Sequence, residues 1–521
     1  MALVLQRHDP DANGNQVPSV SPGACINESA GCEESRNGET CVNGRNNRRS
    51  ITTKAVDDPR TWPKSLKWTI IAIASLFALV TPLTATTLAP AQPVIATQLS
   101  MREGIETQLI TSLFVLSFAF GPLVWGPLSE IYGRSPILRT ANCMFLVCNA
   151  ICAASYNKAQ LLLFRFLSGF GASATHALGG AIVGDLFTNE NRGSAMATFN
   201  LAPLLGPSLG PVIGAVMTDH VSWRWLLGVI SCLSAVLQVF AWSLLKETNP
   251  VILKRIAADS DTNSNSQIES RPVNGKQRQH RLRNELSQAM SRPLRMLLTH
   301  PIIQICALND ALTYGIFFLV LSTYSQLWTH EYGQSVTRAG LNYLFLGMGA
   351  FTGAQVAGRT SDRVYSYLKK RSGLANGTEL PEYRIPMMIP GAILVPVGLL
   401  IYGWSAEAHT MWLGPDVGIF IFGVANITLV QSMLLYIVGS YHNHAASALA
   451  ADVLLRSLFG FALPLAAPSL LKSLGRGWEM TLLAALAGTL GVSSPIVLWF
   501  HGRAIREFST GNKSHEDSDQ G

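Results

Sequence analysis

The chain has 521 residues, 48% of them hydrophobic and only 14% charged, with a mean hydropathy of +0.26. Ordinary globular proteins carry about 25% charged residues, so the composition excludes an array of soluble domains. The formal net charge of +7 raises nucleic acid as a partner, but the basic residues follow a pattern that a membrane explains better and no nucleic acid is expected.

Residues 1–60 are rich in Asn, Gly, Ser and charge without hydrophobic periodicity, the composition of a disordered tail. No positive-then-apolar signal pattern opens the chain, so the first apolar segment is expected to act as the membrane signal and stay in the protein. A bilayer is crossed by about 20 mostly apolar residues. Twelve such windows occur, at about 68–90, 108–128, 137–155, 160–183, 196–217, 225–245, 301–323, 339–358, 385–403, 414–437, 447–470 and 478–500. The third and ninth are the shortest. They divide into an N-terminal six-helix half (61–248) and a C-terminal six-helix half (299–503), joined by a polar cytosolic linker (249–298) and followed by a cytosolic tail (504–521). The fold predicted is an all-α membrane protein of twelve transmembrane helices in two pseudo-symmetric halves. Such internal duplication is typical of secondary transporters.

One phrase marks the duplication. Gly126-Pro127-Leu128-Ser129-Glu130 closes the second window and Gly358-Arg359-Thr360-Ser361-Asp362 closes the eighth, each setting a Gly four residues before a carboxylate. The first copy runs on to Gly133 and Arg134, so windows two and three turn tightly. Glu130 and Arg134 then lie near Asp185 and Arg192, at the end of the fourth window, and the second copy offers Asp362. These charges form either a latch on the cytosolic face or ordinary topology and capping charges.

With the N-terminus in the cytosol, Arg139, Lys254, Arg255, Arg281, Arg283, Arg292, Arg295, Arg363 and Lys369 to Arg371 join Arg134 and Arg192 on that side. Arg102, Lys158, Arg224, Arg338, Lys472 and Arg476 remain on the other. Retention of short-loop Lys and Arg in the cytosol places both termini inside. Cys25, Cys32 and Cys41 then lie in a reducing tail, and the sequons at Asn27 and Asn376 stay unglycosylated. The eight cysteines form no CxxC pair; Cys148 and Cys152 share a helix face and read as packing residues, and no metal is expected.

Charges inside the windows are few, and each costs on the order of 3 kcal/mol at the bilayer centre unless it meets a partner or a wet cavity. Arg165 lies about five residues into the fourth window and reads as functional or as snorkelling to the interface. Asp310 lies near the middle of the seventh, where a carboxyl can alternate between protonated and ionised forms, contact substrate, or be satisfied locally. Asp452 and Arg456, four apart in the eleventh, can pair along one helix face, as structure or as a switch. In the fifth window Gly206, Gly210 and Gly214 recur every four residues beside Pro203, Pro207 and Pro211. That stripe admits a close neighbour and bends the helix, which suits a hinge or static packing. For substrate contact the seventh window offers Tyr314, Phe317 and Phe318 on one face, with Tyr324 and Trp328 beyond. The second offers Phe114, Phe118 and Trp125, and His176 and Asn200 are further pocket candidates, although any one of these side chains also suits plain packing.

Gly126 to Arg134 resembles the loop signature of the major facilitator superfamily. Arg165-Phe166-Leu167-Ser168-Gly169-Phe170-Gly171 resembles its fourth-span motif, and Gly206-Pro207-Ser208-Leu209-Gly210-Pro211-Val212-Ile213-Gly214 resembles the fifth-span motif associated with antiporters. Asp58-Pro59-Arg60-Thr61-Trp62-Pro63, Ala445 to Ala450 and Arg456 are similar to the fungal twelve-span drug:proton antiporter group. The resemblance implies that Arg165 takes part in proton coupling and that the fifth-span motif marks export. Asp310 and Asp452 depart from the group, whose matching positions are not commonly acidic. A proton-coupled exporter of hydrophobic or amphipathic small molecules (drugs, toxins or fungal secondary metabolites) is therefore expected, acting as a monomer in the plasma membrane by alternating access and without a cofactor. An uptake permease for a nutrient or polyamine, or a non-transporting sensor, are the alternatives. No GxxxxGK[ST], HExxH or GxSxG sequence occurs, and an enzyme is not expected.

Overall fold

The computed structural model describes residues 58–102, 104–254, 290–371, 380–441 and 445–516, without the side chains at 189, 190, 192, 194 and 507–516. Residues 1–57 of the predicted disordered tail, most of the linker, the sequons and the first three cysteines lie outside the described residues, while Pro59–Thr61 form a short 3-10 turn capped by Asp58. Within them there is helix and no strand. Twelve long helices follow one another: α1 (Lys64–Thr87), α2 (Ile105–Tyr132), α3 (Arg134–Ala153), α4 (Lys158–Leu186), α5 (Asn189–His220), α6 (Trp223–Leu244), α7 (Pro301–Gln326), α8 (Val336–Arg371), α9 (Met388–Glu407), α10 (Leu413–Ser440), α11 (Ala445–Leu474) and α12 (Arg476–Glu516). Each predicted window has its helix, and the two short ones are α3 and α9, of 20 residues each.

Eleven of the twelve are long and apolar enough to cross a membrane. The exception is α8. Its window 339–358 is diluted by Asn342, Gln355, Gly340, Gly347, Gly349, Gly353 and Gly358, and beyond it the helix runs on through Arg359, Asp362, Arg363, Lys369, Lys370 and Arg371. The helices tolerate interior prolines, among them Pro82, Pro122, Pro203, Pro207, Pro211, Pro396 and Pro464. The Phe199 carbonyl, freed by Pro203, accepts from Ser75 Oγ of α1 at 2.8 Å, the kind of substitution by a neighbouring helix that lets membrane helices carry proline. A side-chain cap opens α4, where the Asn157 side chain accepts from the Gln160 N–H at 2.8 Å. Between α2 and α3 a single residue, Gly133, makes the turn at φ 104°, as the sequence required.

Apolar side chains from Ile70 to Leu245 form one core, and a second runs from Met296 to Leu498 with Ala89 as its contribution from the first half. The halves meet where α2 packs on α11 and α5 on α8. Taking the sides from the charge asymmetry, several of these contacts lie at the outer ends. Thr337 donates to Asp219 Oδ2 at 2.6 Å, Gly340 faces Ala215, and Gly104 faces Pro468. Deeper, Gly347 faces Ser208, while Ala119 and Leu123 pack on Leu454.

Candidate functional site

The mid-membrane charges gather where α7 and α11 touch. Asp310 and Asp452 are buried, 3% and 5% exposed. Arg456 reaches Asp310 Oδ2 with Nη1 at 3.6 Å and lies over the Tyr314 ring at 5.2 Å. The Asp452 carboxyl adjoins that of Asp310, with Cys306 beside both. The pairing expected along α11 is therefore corrected: Arg456 takes its ion-pair partner from α7, and Asp452 stands behind it as a second carboxyl. Asp310 Oδ1, Asp452 Oδ1 and Arg456 Nε have no hydrogen-bond partner. Two carboxyls and one guanidinium sum to −1 without a proton and to zero with one, so the set is a place where one proton changes the electrostatics of a low-dielectric site.

Aromatic groups from both halves surround this set. His176 on α4 keeps free surface although protein encloses it, which places it on the wall of an internal space. It stacks on Phe118 of α2 at 6.1 Å and 25°, and it feels the charge of Arg456 from the other half. Tyr314 packs on Phe318 at 4.9 Å, and Phe317 meets Phe318 edge-on at 5.5 Å. Gly460 makes room for this: a Cβ there would lie 2.9 Å from the Tyr314 ring and 3.0 Å from Val115. Tyr314 thus wedges between α11 and α2, where the halves meet. Asn200 is exposed on α5 and makes no ring contact with this group among the described residues.

Tyr324 and Trp328 are not pocket residues. Both are buried in the C-terminal core, where the Tyr324 hydroxyl donates to Asp416 and its ring meets Tyr343 and Tyr402. Trp125 and Phe114 are likewise packed, the first donating to the Phe170 carbonyl at 2.8 Å.

Arg165 does not snorkel. It is fully buried, donates Nε to Ile110 O at 3.1 Å and Nη2 to Thr84 O at 3.2 Å, and lies over the Phe114 ring at 4.7 Å. One side chain on α4 thereby ties α1 and α2 together, and its Nη1 is left without a partner.

At the turn between α2 and α3, Arg134 bonds to Asp185 Oδ2 at 3.4 Å and to Ser129 Oγ at 2.6 Å. Sequence reasoning missed Glu247, just past α6. Its two oxygens accept the backbone N–H groups of Arg134 and Ser135 at 2.9 and 3.1 Å, capping α3 and favouring its positive end. The signal was a carboxylate following the sixth window, indistinguishable by sequence from a loop charge. Glu130 is exposed, with its carbonyl accepting from Asn249. The Arg192 side chain lies outside the described residues. Asp362 is 80% exposed and pairs with Arg384 at 3.7 Å, so the two copies of the repeated phrase have different surroundings. Gly126 and Gly358 both face open space.

The fifth-span stripe packs on α1. A Cβ on Gly206, Gly210 or Gly214 would come within 2.0–2.5 Å of Pro82, Thr86 or Thr87. Only glycine admits that approach, which orders the stripe against its own half. The other side of α5, through Ser208, Pro211 and Ala215, meets α8. Pro207 and Pro211 fall inside the helix.

The sequence profile of the Major Facilitator Superfamily matches residues 74–464. The MFS-type transporter oryF of Aspergillus oryzae is 38% identical over 87% of this chain and 93% of its own. The efflux pump vrtL of Penicillium aethiopicum is 37% identical over 88% and 89%. Among solved structures, the xylose transporter XylE of E. coli, in a partially occluded inward open conformation, superposes with a TM-score of 0.59 at 16% identity, over 84% of this chain and 97% of that one. The human organic anion transporter MFSD10 gives 0.56 at 20%, over 83% and 100%. With twelve long helices in two halves, a family profile over residues 74–464 and relatives of this closeness, the chain belongs to the Major Facilitator Superfamily, as a multi-pass membrane transporter of small molecules, similar to fungal efflux pumps, and not an enzyme.

Proposed function

We propose that this transporter exports hydrophobic or amphipathic small molecules in exchange for protons. The observation that carries the reading is the Asp310–Arg456–Asp452 set, whose charge a single proton cancels, beside the aromatic wall of His176, Phe118, Tyr314 and Phe318. A proton taken up there alters how tightly Arg456 is held, and Arg456 also touches Tyr314 on the same wall. Proton occupancy and substrate occupancy thus act on one side chain, which is what coupling requires. Arg165, which binds α1, α2 and α4 together, serves as a rigid positive element near the outer end. The Gly206/Gly210/Gly214 stripe, with Pro207 and Pro211, gives α5 a close fit on α1 that lets the pair move as one body and bend as a hinge. Arg134 and Asp185, with Gly126, Gly133, Glu130 and Arg192 of the same half and Asp362 at the matching point of the other, act as the cytosolic gate. The protein works as a monomer in the plasma membrane with both termini in the cytosol.

The test is proton flux in inverted vesicles carrying the protein, with an imposed pH gradient and a panel of apolar and cationic compounds. Compound-dependent collapse of the gradient, lost in Arg165→Ala and in Asp452→Asn, is the expected result. Bound compound without any proton movement would refute export by proton exchange.

A further inference from the structure

The start of α12 repeats, on the opposite face of the membrane, the arrangement at the start of α3. Gly133 has φ 104° and Gly475 has φ 77°. Each is followed by an arginine that opens a helix. In each case a glutamate just beyond or at the end of another helix accepts the first two N–H groups. Glu247 does so for Arg134 and Ser135, and Glu407 does so for Arg476 and Gly477 at 2.9 and 3.2 Å. A Cβ on either glycine would press on that glutamate. In each, the guanidinium reaches a carboxylate on a third helix and a hydroxyl: Asp185 and Ser129 for Arg134, Glu331 at 2.5 Å and Tyr402 at 3.4 Å for Arg476.

We propose that Arg476 is a positioning residue in an outer latch that holds the tip of α7 and, through it, the seam between the halves. Glu331 is the last residue of a π-helical turn, Leu327–Glu331, that ends α7, and such turns are irregularities frequently found at functional sites. Shortly beyond it α8 begins, and its first turns carry the inter-half contacts Thr337–Asp219 and Gly340–Ala215. Fixing Glu331 therefore fixes the connection that presents those contacts. The latch also has somewhere to go. Arg476 is 2% exposed, and Glu479, fully buried with neither carboxylate oxygen hydrogen-bonded, is a second charge beside it. When Glu331 lets go, the guanidinium keeps Tyr402 and has the unbonded Glu479 carboxyl beside it to turn to, so release leaves a new partner within reach. Two arrangements of comparable energy are what a switching element needs.

The experiment measures the distance between spin labels on Arg102→Cys and Lys472→Cys, exposed at the outer ends of α2 and α11, in purified protein whose native cysteines are replaced. Glu331→Gln is expected to raise the ratio of long to short distances roughly twofold to fivefold, the range for losing a part-exposed ion pair. Glu331→Asp, one methylene short, is expected to fall between, and both proteins should keep their melting midpoint to within a few degrees. Unchanged distances in Glu331→Gln would overturn the proposal, as would a lower melting midpoint with unchanged distances, which would make the contact structural only. The readout needs neither substrate nor proton gradient, so it stands or falls independently of proton-coupled export.

Discussion

Removing the carboxylate of Asp310 leaves Arg456 without its ion-pair partner, whereas removing that of Asp452 leaves the pair intact. Breaking a buried pair from one side costs about 3 kcal/mol. Asp310→Asn should accordingly lower the melting midpoint clearly and Asp452→Asn little. Both should flatten the dependence of transport on pH, because either change removes a carboxyl from the set that one proton neutralises. Equal melting midpoints with unaltered pH profiles in both variants would sink the assignment. Asp310 was visible in the sequence as a lone acid in an apolar window. Its partner was not, since the four-residue spacing of Asp452 and Arg456 points along one helix and the adjacency of α7 and α11 is written nowhere in the local sequence. Arg165 was equally visible, but only packing distinguishes a buried arginine clasping two carbonyls from one reaching for the interface.

Among the elements, the starts of α3 and α12 share a glutamate cap but differ in how it bonds, and the difference is measurable. Glu247 gives one oxygen to each N–H group, whereas Glu407 receives both on Oε2. A glutamine retains only one strong acceptor oxygen. Glu247→Gln should thus cost about 1 kcal/mol or somewhat more, as a charge-assisted bond is lost. Glu407→Gln, which can keep both bonds on its amide oxygen, should cost less, and thermal unfolding in detergent separates the two. Identical losses would mean that charge alone, not acceptor count, sets the cap. The glycine stripe of α5 was legible as a close-packing face from its spacing, but the partner, α1, was not. The glutamates Glu247, Glu331 and Glu407 escaped notice because an acid outside an apolar window looks the same whether it caps a helix or faces water. The window for α8 was found correctly while its helix runs on past 358 to Arg371, since helices end where hydrogen bonding ends rather than where hydrocarbon does.

For the whole molecule, the seam between the halves predicts what arrests transport. Joining Asp219→Cys to Thr337→Cys with a short bifunctional thiol reagent, where the native side chains are 2.6 Å apart, should stop transport. Each single variant treated alike should retain it, and full transport in the joined protein would mean that this contact survives the cycle. Twelve helices and their grouping followed from apolar length and a repeated phrase, but which helices touch across the middle depended on glycines and alanines that carry no signal singly. The small residues of that seam also give it a thermal character. Ala89 sits in the core of the opposite half, and Gly104, Pro468, Ala215 and Gly340 complete an outer contact made largely of carbon. Wetting such a surface raises heat capacity and is resisted less as water cools. Chilling should therefore loosen this carbon-lined closure while leaving the Thr337–Asp219 hydrogen bond in place, and warming toward physiological temperature should tighten it.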